Sequence, residues 1–421
     1  MSSKRSGHNY SHKLMLDPLA IRRDFPIYDA EPGLVYLDSA ATALKPKAVI
    51  DAMNEYYLEY SANAGRGLYP LAEGATTALD MARERIARFV HAGEKETVVF
   101  AANATHAINL VALGLEASIK PGHNIVVTEL EHHSNYLPWK ELSRRRDAIF
   151  RSVKFTADGT IDTAHLETSI DETTTIVVFS AVSNVFGIIN PVADLVRIIR
   201  KKNPEALILV DACQAAGHIN IDIERWGADF VVFSGHKLFG PTGIGILAGK
   251  KESLERLTPM NVGGGTVLDA CGPTTVYKKL PENLEGGTPN IAGAIGLAEA
   301  IEYIEALGLE SVRAHETMLI RYALEGLKGA FGQRIHILGT DDPNQRAGII
   351  SFTLDGLHPH DLAHLLGEEN ICVRAGEHCA SPLHRTAGFP ATTRLSLSVY
   401  NTKDDIDRLI RTMEKISRIF A

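Results

Sequence analysis

Cysteine is scarce in this chain. Four cysteines stand in 421 residues, Cys213, Cys271, Cys372 and Cys379, and no two form a C-x-x-C pair. That excludes a disulfide scaffold and fits a reducing compartment, so a cytoplasmic location is expected. Long hydrophobic runs are also missing: none approaches the roughly 18 residues a membrane helix needs. The first residues, Met1 to Lys13, are polar and carry no apolar signal core, and Arg22-Arg23 runs into Asp24-Phe25, so no export signal is expected. Residues 1–20 read as a flexible tail. Basic blocks are absent too. Lys and Arg number 43 against 51 Asp and Glu, a net charge of −8, which leaves no electrostatic footprint for nucleic acid or an anionic membrane. No G-x-x-x-x-G-K-[ST] exists, so a P-loop ATPase is excluded. Gly243-Ile244-Gly245-Ile246-Leu247-Ala248 fits G-x-G-x-x-A but reads as a strand, not as a strand-to-helix turn.

What remains is an ordinary globular composition, 45% hydrophobic and 22% charged, with length for two or three domains. From Val98 to Ala248 short apolar runs alternate with helical stretches. Strands are expected at Thr97–Phe100, Asn124–Thr128, Thr175–Ser180, Leu207–Val210, Phe230–Phe233 and Gly245–Ala248, with helices at Ala104–Leu115 and Ala193–Lys202. Continuous apolar strands separated by helices predict an α/β fold, a doubly wound and mostly parallel sheet. A long helical pattern runs from Ala292 to about Leu327. Strands (Ala347–Leu354, Arg394–Ser398) and helices (Pro359–Glu369, Thr402–Phe420) follow, as in a smaller α+β domain. The expected division is a large domain over 36–300 and a small one made of 21–35 and 301–421.

Chemistry concentrates where apolar runs end in polar residues. Leu207-Ile208-Leu209-Val210 runs into Asp211, and in open α/β sheets ligands bind at the carboxyl ends of strands. Asp211 is either a carboxylate facing a ligand or a helix N-cap. Phe230–Phe233 runs into Ser234-Gly235-His236-Lys237. Apolar neighbours, Leu238 and Phe239 among them, disfavour an ammonium and suit Lys237 to Schiff-base chemistry. A carboxylate paired with such a lysine is what a protein contributes to pyridoxal 5′-phosphate (PLP) chemistry. Ser234, His236 and the helix opening after Ala102-Asn103-Ala104-Thr105 could hold a phosphate. In Glu131-His132-His133-Ser134-Asn135 a flat imidazole could stack on a cofactor ring. No thiol or acidic ligand sits at zinc spacing there, so no metal is expected. In Arg374-Ala375-Gly376-Glu377-His378-Cys379-Ala380, Arg374 and His378 could raise the thiolate fraction of Cys379. Arg394 could grip a carboxylate bidentately. The other three cysteines read as bystanders.

Asp211-Ala212-Cys213-Gln214 and Ser234-Gly235-His236-Lys237-Leu238-Phe239-Gly240-Pro241-Thr242-Gly243-Ile244-Gly245 resemble the class V aminotransferase superfamily of PLP fold type I. Tyr36-Leu37-Asp38-Ser39-Ala40-Ala41-Thr42, Glu285-Gly286-Gly287-Thr288-Pro289-Asn290 and Tyr400-Asn401-Thr402 agree with it. The stretch 374–380 is similar to that of group II, Suf/Csd-type cysteine desulfurases. The resemblance runs from about Asp24 to Ile419. It implies Lys237 as the Schiff-base lysine, Asp211 as partner of the pyridine nitrogen, Gln214 as donor to the phenolate oxygen and His132 as the stacking ring. It implies Thr105, Ser234 and His236 as phosphate ligands, with Thr288 reaching across from the other subunit of a homodimer. Asn184 and Arg394 resemble the carboxylate-binding pair, and Cys379 the nucleophile that takes sulfur from L-cysteine as a persulfide. A SufE- or SufU-like acceptor and a place in Fe–S cluster assembly follow from the same likeness.

Three positions depart from that pattern. Gly65 stands where Suf-type proteins usually carry His, Ala104 where some relatives place a second Thr, and Glu377 in place of a His. Glu377 brings negative charge beside Cys379, opposing Arg374. Alternatives on the same fold are a selenocysteine lyase, a cysteine sulfinate desulfinase or another C–S lyase. Of a different class is a non-catalytic scaffold, against which the intact Lys237 and Asp211 speak.

Overall fold

Strand Leu207–Asp211 is the middle member of a seven-stranded sheet. The order is Val98–Ala101, Gly245–Gly249, Phe230–Ser234, Leu207–Asp211, Thr174–Ser180, Asn124–Thr128, Ile149–Val153. A computed structural model describes residues 16–65 and 67–420 of the chain. Gly245–Gly249 runs antiparallel to both neighbours, and the other pairs are parallel. The apolar runs have a direct cause. Leu207, Leu209, Ile176, Val178, Ile125 and Val127 enter one apolar cluster, while Ile208, Val210, Val177, Phe179 and Val126 enter another on the opposite face. Helices cover both faces, so each strand residue must be apolar, and each such burial contributes about 1.5–3 kcal/mol. Strand Ile149–Val153 escaped the sequence reading because it lies at the sheet edge, only Val153 is buried, and its pattern is mixed.

A second, antiparallel sheet has the order Ile335–Ile337, Ile349–Leu354, Thr392–Ser396, Arg374–Gly376. Helices Leu309–Phe331, Pro359–Glu368 and Lys403–Ile419 pack on it through Leu319, Leu327, Leu362, Leu409 and Met413 around Phe352. The short strand Val35–Tyr36 pairs in parallel with Ile371–Cys372, which carries the segment before it to this side of the molecule.

Two expectations need correction. The stretch up to residue 20, expected to be flexible, includes the ordered start of a helix: Asp17 caps helix Pro18–Arg22, Ile21 is fully buried, and Arg22 bonds the Tyr400 carbonyl at 2.8 Å and pairs with Asp405. Residues 1–15 lie outside the described residues. The helical pattern from Ala292 to Leu327 is two helices, Ile291–Leu307 and Leu309–Phe331. Gly308 separates them with φ of +80°, a conformation that glycine adopts without steric penalty. The boundary expected at residue 300 therefore falls inside a helix. Residues 267–277 add a small hairpin, with Cys271 exposed in its turn.

Candidate active site

The carboxyl ends of the central strands converge on one cavity of about 300 Å³. Eleven of the twelve residues singled out in the sequence line it: Thr105, His132, Asn184, Asp211, Gln214, Ser234, His236, Lys237, Arg374, Cys379 and Arg394. Asp211 ends its strand, is 5% exposed, and accepts the Cys213 N–H on Oδ1 at 2.9 Å. No helix begins after it, which removes the N-cap alternative. Lys237 closes a short 3-10 turn, half-buried ahead of buried Leu238 and Phe239.

The other side of this end is a helix start. Asn103 caps helix Ala104–Gly114 by accepting the His106 N–H at 2.9 Å, and the Ser234 hydroxyl accepts the Ala104 N–H at 2.8 Å. Thr105 Oγ1 lies 2.7 Å from Ser134 Oγ. Strand Gly245–Gly249 passes directly beneath. A Cβ on Gly245 would stand 2.4 Å from the Asn103 carbonyl carbon, so only glycine lets that turn approach. The Thr105 N–H, left over between the bonded Ala104 and His106 groups, makes an anion cradle with Ser234 and His236 beside it. Burial, then the charges of Lys237 and Lys45, push His236 down to about 4. Burial, then Lys237, His133, Arg394 and Arg374, push His132 down to about 3. His132 Nδ1 accepts the Ser134 N–H at 3.1 Å, so the neutral ring carries its proton on Nε2. Gln214 Nε2 donates to the Ala40 carbonyl at 2.9 Å, which spends one of its two N–H groups.

Across the cavity, Arg394 is 3% exposed and burial pushes it down to about 10, against the pull of Asp38. Its Nη1 donates to the Asn184 carbonyl at 2.9 Å, Nη2 lies 3.4 Å from Asp38 Oδ1, and Nε has no partner. Asn184 Nδ2 donates to the His378 carbonyl at 2.8 Å, so its amide holds the Cys379 turn as well as facing the cavity.

Cys379 is exposed at the cavity mouth, between buried His378 and Ala380. His378 and Cys379 have φ of +50° and +56°. For non-glycine residues that conformation is strained, by about 1–2 kcal/mol each, and persists only when the surroundings hold it. Here the His378 ring corrects the sequence expectation. Its Nε2 lies 2.9 Å from Thr392 Oγ1, and burial, then Arg394, His384 and Arg374, push it down to about 2. It is neutral and turned into the protein, so it cannot supply positive charge to the thiol. Arg374, Arg394 and Lys237 are the cations that line the cavity with the thiol, and the Arg394 charge interacts with Cys379.

Thr288 is the one expected residue placed elsewhere. It is exposed beside Gly264, Gly265 and Lys278 in a second cavity. Three residues at or beside the cavity carry no role in the sequence expectations. Cys213, taken as a bystander, lines the active cavity, and burial and Asp211 raise its thiol far above the usual range. Asp38 sits in a motif that was noticed but given no role. His133 was weighed only as a metal ligand, and among the described residues no cluster could hold a metal.

Residues 35–409 match the aminotransferase class-V family. A probable cysteine desulfurase of Halalkalibacterium halodurans is 44% identical over 406 residues, 95% of this chain and 98% of its own. The apo cysteine desulfurase of Thermococcus onnurineus NA1 superposes with a TM-score of 0.91 at 38% identity, over 96% of this chain and 99% of its own. Cysteine desulfurase CsdA of Escherichia coli, in an S-sulfonic acid form, gives 0.87 at 32% identity, over 97% and 100%. The architecture is the type I fold of PLP-dependent enzymes. The chain thus belongs to the aminotransferase class-V family, alongside cysteine desulfurases that match it over nearly its full length.

Proposed function

We propose that the protein is a PLP-dependent cysteine desulfurase, taking the sulfur of L-cysteine as a persulfide on Cys379 and releasing L-alanine. One observation carries this reading: a carboxylate (Asp211), an amine (Lys237), a guanidinium (Arg394) and a thiol (Cys379) line the same cavity. The donor set fits the cofactor. Asp211 would hold the ring nitrogen protonated, His132 would lie flat on the ring, and Gln214 would donate to the phenolic oxygen. Thr105, Ser234, His236 and the helix start over Gly245 would take the phosphate. When bound, the cofactor supplies an electron sink for the carbanion left as the substrate Cα loses its proton.

The chain's own residues do the rest. Arg394, braced by Asp38 and the Asn184 carbonyl, attracts the substrate carboxylate and orients the amino acid. Arg374 adds positive charge at the mouth. Lys237 Nζ would hold the cofactor at rest, and it carries the proton at the substrate carbons. The Cys379 thiolate attacks the substrate sulfur. One S–S bond forms, the Cβ–S bond breaks, and Cβ takes a proton. Thiol plus cysteine equals persulfide plus alanine, so no outside oxidant is required.

Several finer points belong to the same reading. Thr288 faces a separate cavity, so a role at the phosphate requires a neighbouring copy, and exposed Leu58, Leu68, Val262 and Leu268 offer apolar surface for a homodimer. The large domain runs from residue 36 through helix Ile291–Leu307, and 21–35 with the chain from Gly308 onward forms the small one. The exposed persulfide passes to a SufE- or SufU-like acceptor for Fe–S or other sulfur metabolism, in a reducing cytoplasm. Among the described residues no helix is long and apolar enough to cross a membrane.

The test is alanine and sulfide release from L-cysteine, with and without a thiol reductant, in the wild type and Cys379→Ala. Equal alanine and sulfide from the wild type with the reductant, which reduces the persulfide and frees the sulfide, and Cys379→Ala keeping its cofactor absorbance but losing transfer, are the expected results. Undiminished transfer in Cys379→Ala would sink the nucleophile role. Running selenocysteine and cysteine sulfinate in parallel separates the related C–S lyases.

A further inference from the structure

We propose that His133 is the positioning residue for Cys379, its imidazole fixing the turn that presents the thiol at the cavity mouth. The inference rests on Cys379 as the sulfur-accepting residue and adds the group that aims it. His133 follows the cofactor-facing His132, yet it does not line the cavity. Its ring is inclined 50° to that of His132 and serves the turn on the far side. The His133 N–H donates to the Cys379 carbonyl at 2.6 Å. Its Nε2 accepts the Ser381 N–H at 3.1 Å and lies 2.7 Å from Ser381 Oγ. One residue thus ties the chain on both sides of the Ala380 peptide, directly after the thiol.

The strain explains why a tie is needed. Two successive non-glycine residues with positive φ relax unless held. The support behind His133 is rigid. It opens helix His133–Arg146, whose first turn is anchored by Asn135 donating to Glu131 at 2.6 Å and by fully buried Trp139 donating to Asn135 at 3.2 Å. The Glu131 carboxylate also accepts the Ser180 N–H at 2.9 Å, at the end of the strand beside Asp211. The position of the thiol is therefore referenced to the strand ends that carry the cofactor residues. Because Nε2 accepts a backbone N–H, the neutral ring carries its proton on Nδ1, and any replacement must supply an acceptor at the Nε2 position.

The experiment compares His133→Leu, which keeps bulk but removes the acceptor, with His133→Gln, whose amide oxygen can replace Nε2. Both are measured as holoenzymes. Deuterium uptake over residues 379–385 is expected to rise in His133→Leu and return to wild type in His133→Gln, with uptake over 207–214 unchanged in both. Rapid mixing with L-cysteine is expected to show unaltered substrate binding, while sulfur transfer to Cys379 slows by about 10- to 10²-fold in His133→Leu and recovers in His133→Gln. Unchanged uptake in His133→Leu overturns the proposal, as does a Gln variant no better than Leu, or a loss of substrate binding equal to the loss of transfer. If His133→Leu does not hold its cofactor, His133→Ala makes the same comparison without a misfit side chain. A wild type that releases no alanine from cysteine defeats the desulfurase reading instead, and the deuterium comparison still decides the clamp.

Discussion

The two ends of the active cavity are built in opposite ways. At the cofactor end, Asp211 and Ser234 close regular strands, His132 caps a helix and Thr105 lies in the first turn of another. Their backbones are set by local hydrogen bonding and by apolar side chains packed on both faces of the sheet. At the thiol end, Cys379 lies in a left-handed turn held by the Asn184 amide, which bonds His378 194 residues away, and the His133 ring, which bonds Ser381 248 residues away. On the proposed function, the groups that would face the ring lie where the fold is stiffest, and the thiol that would meet both substrate and acceptor lies exposed at the cavity mouth and is held from behind.

The largest effect should come from the first end. On the proposed function, Lys237→Ala would remove the cofactor-binding amine and the proton carrier together. Alanine release is expected to fall by at least about 10²–10⁴-fold, the range for a lost proton-transfer group. Initial rates settle it, and residual activity within tenfold of wild type would mean that another group moves the proton.

Next in size is a structural break behind the same end. Buried Arg83 and partly buried Glu285 form a bidentate pair at 2.6 and 2.8 Å, and Glu285 also accepts the Phe100 N–H at 2.6 Å. Removing one partner strands a buried charge, so Glu285→Ala is expected to destabilise by about 3–5 kcal/mol. Chemical denaturation of wild type and variant measures it. A loss below about 1 kcal/mol, the level of a surface pair, would show that the site is wetter than its geometry implies.

How much of each end could be read from the sequence follows from the same contrast. Asp211 and Lys237 were legible because a buried strand must be apolar, so a carboxylate or an amine at its end stands out. The long helical pattern after Ala292 concealed the turn at Gly308, since glycine is also tolerated within helices. At the thiol end only Cys379 and its neighbours were visible. The His378 ring was read as a charge donor, but the contact that orients it, Thr392, comes from another strand. The role of His133 depends on a chain crossing that no local pattern announces.

Acid stability tests the two ends together. His132 and His378 are held neutral, at about 3 and about 2, whereas an unfolded histidine titrates near 6.5. As pH falls below about 6.5 the unfolded chain takes up protons that the folded one refuses, so stability is lost toward acid. Each residue contributes up to ~1.4 kcal/mol per pH unit. Replacing His378 by Gln should flatten the slope of unfolding free energy between pH 6 and 4 by about one proton. An unaltered slope would mean that His378 is charged in the folded protein.

The smallest expected effect is the most diagnostic of what drives the thiol. If His378 is neutral and turned toward Thr392, His378→Gln removes no positive charge from Cys379, and its amide can still reach the Thr392 hydroxyl. Alkylation of Cys379 by iodoacetamide at pH 7, followed by mass spectrometry, should change less than about twofold. Arg374→Ala, which removes an exposed cation lining the same cavity, should change it more. The reverse order would return the activating role to His378. It would also make the thiol end resemble the cofactor end, with its chemistry set by an adjacent charge and not by how the turn is held.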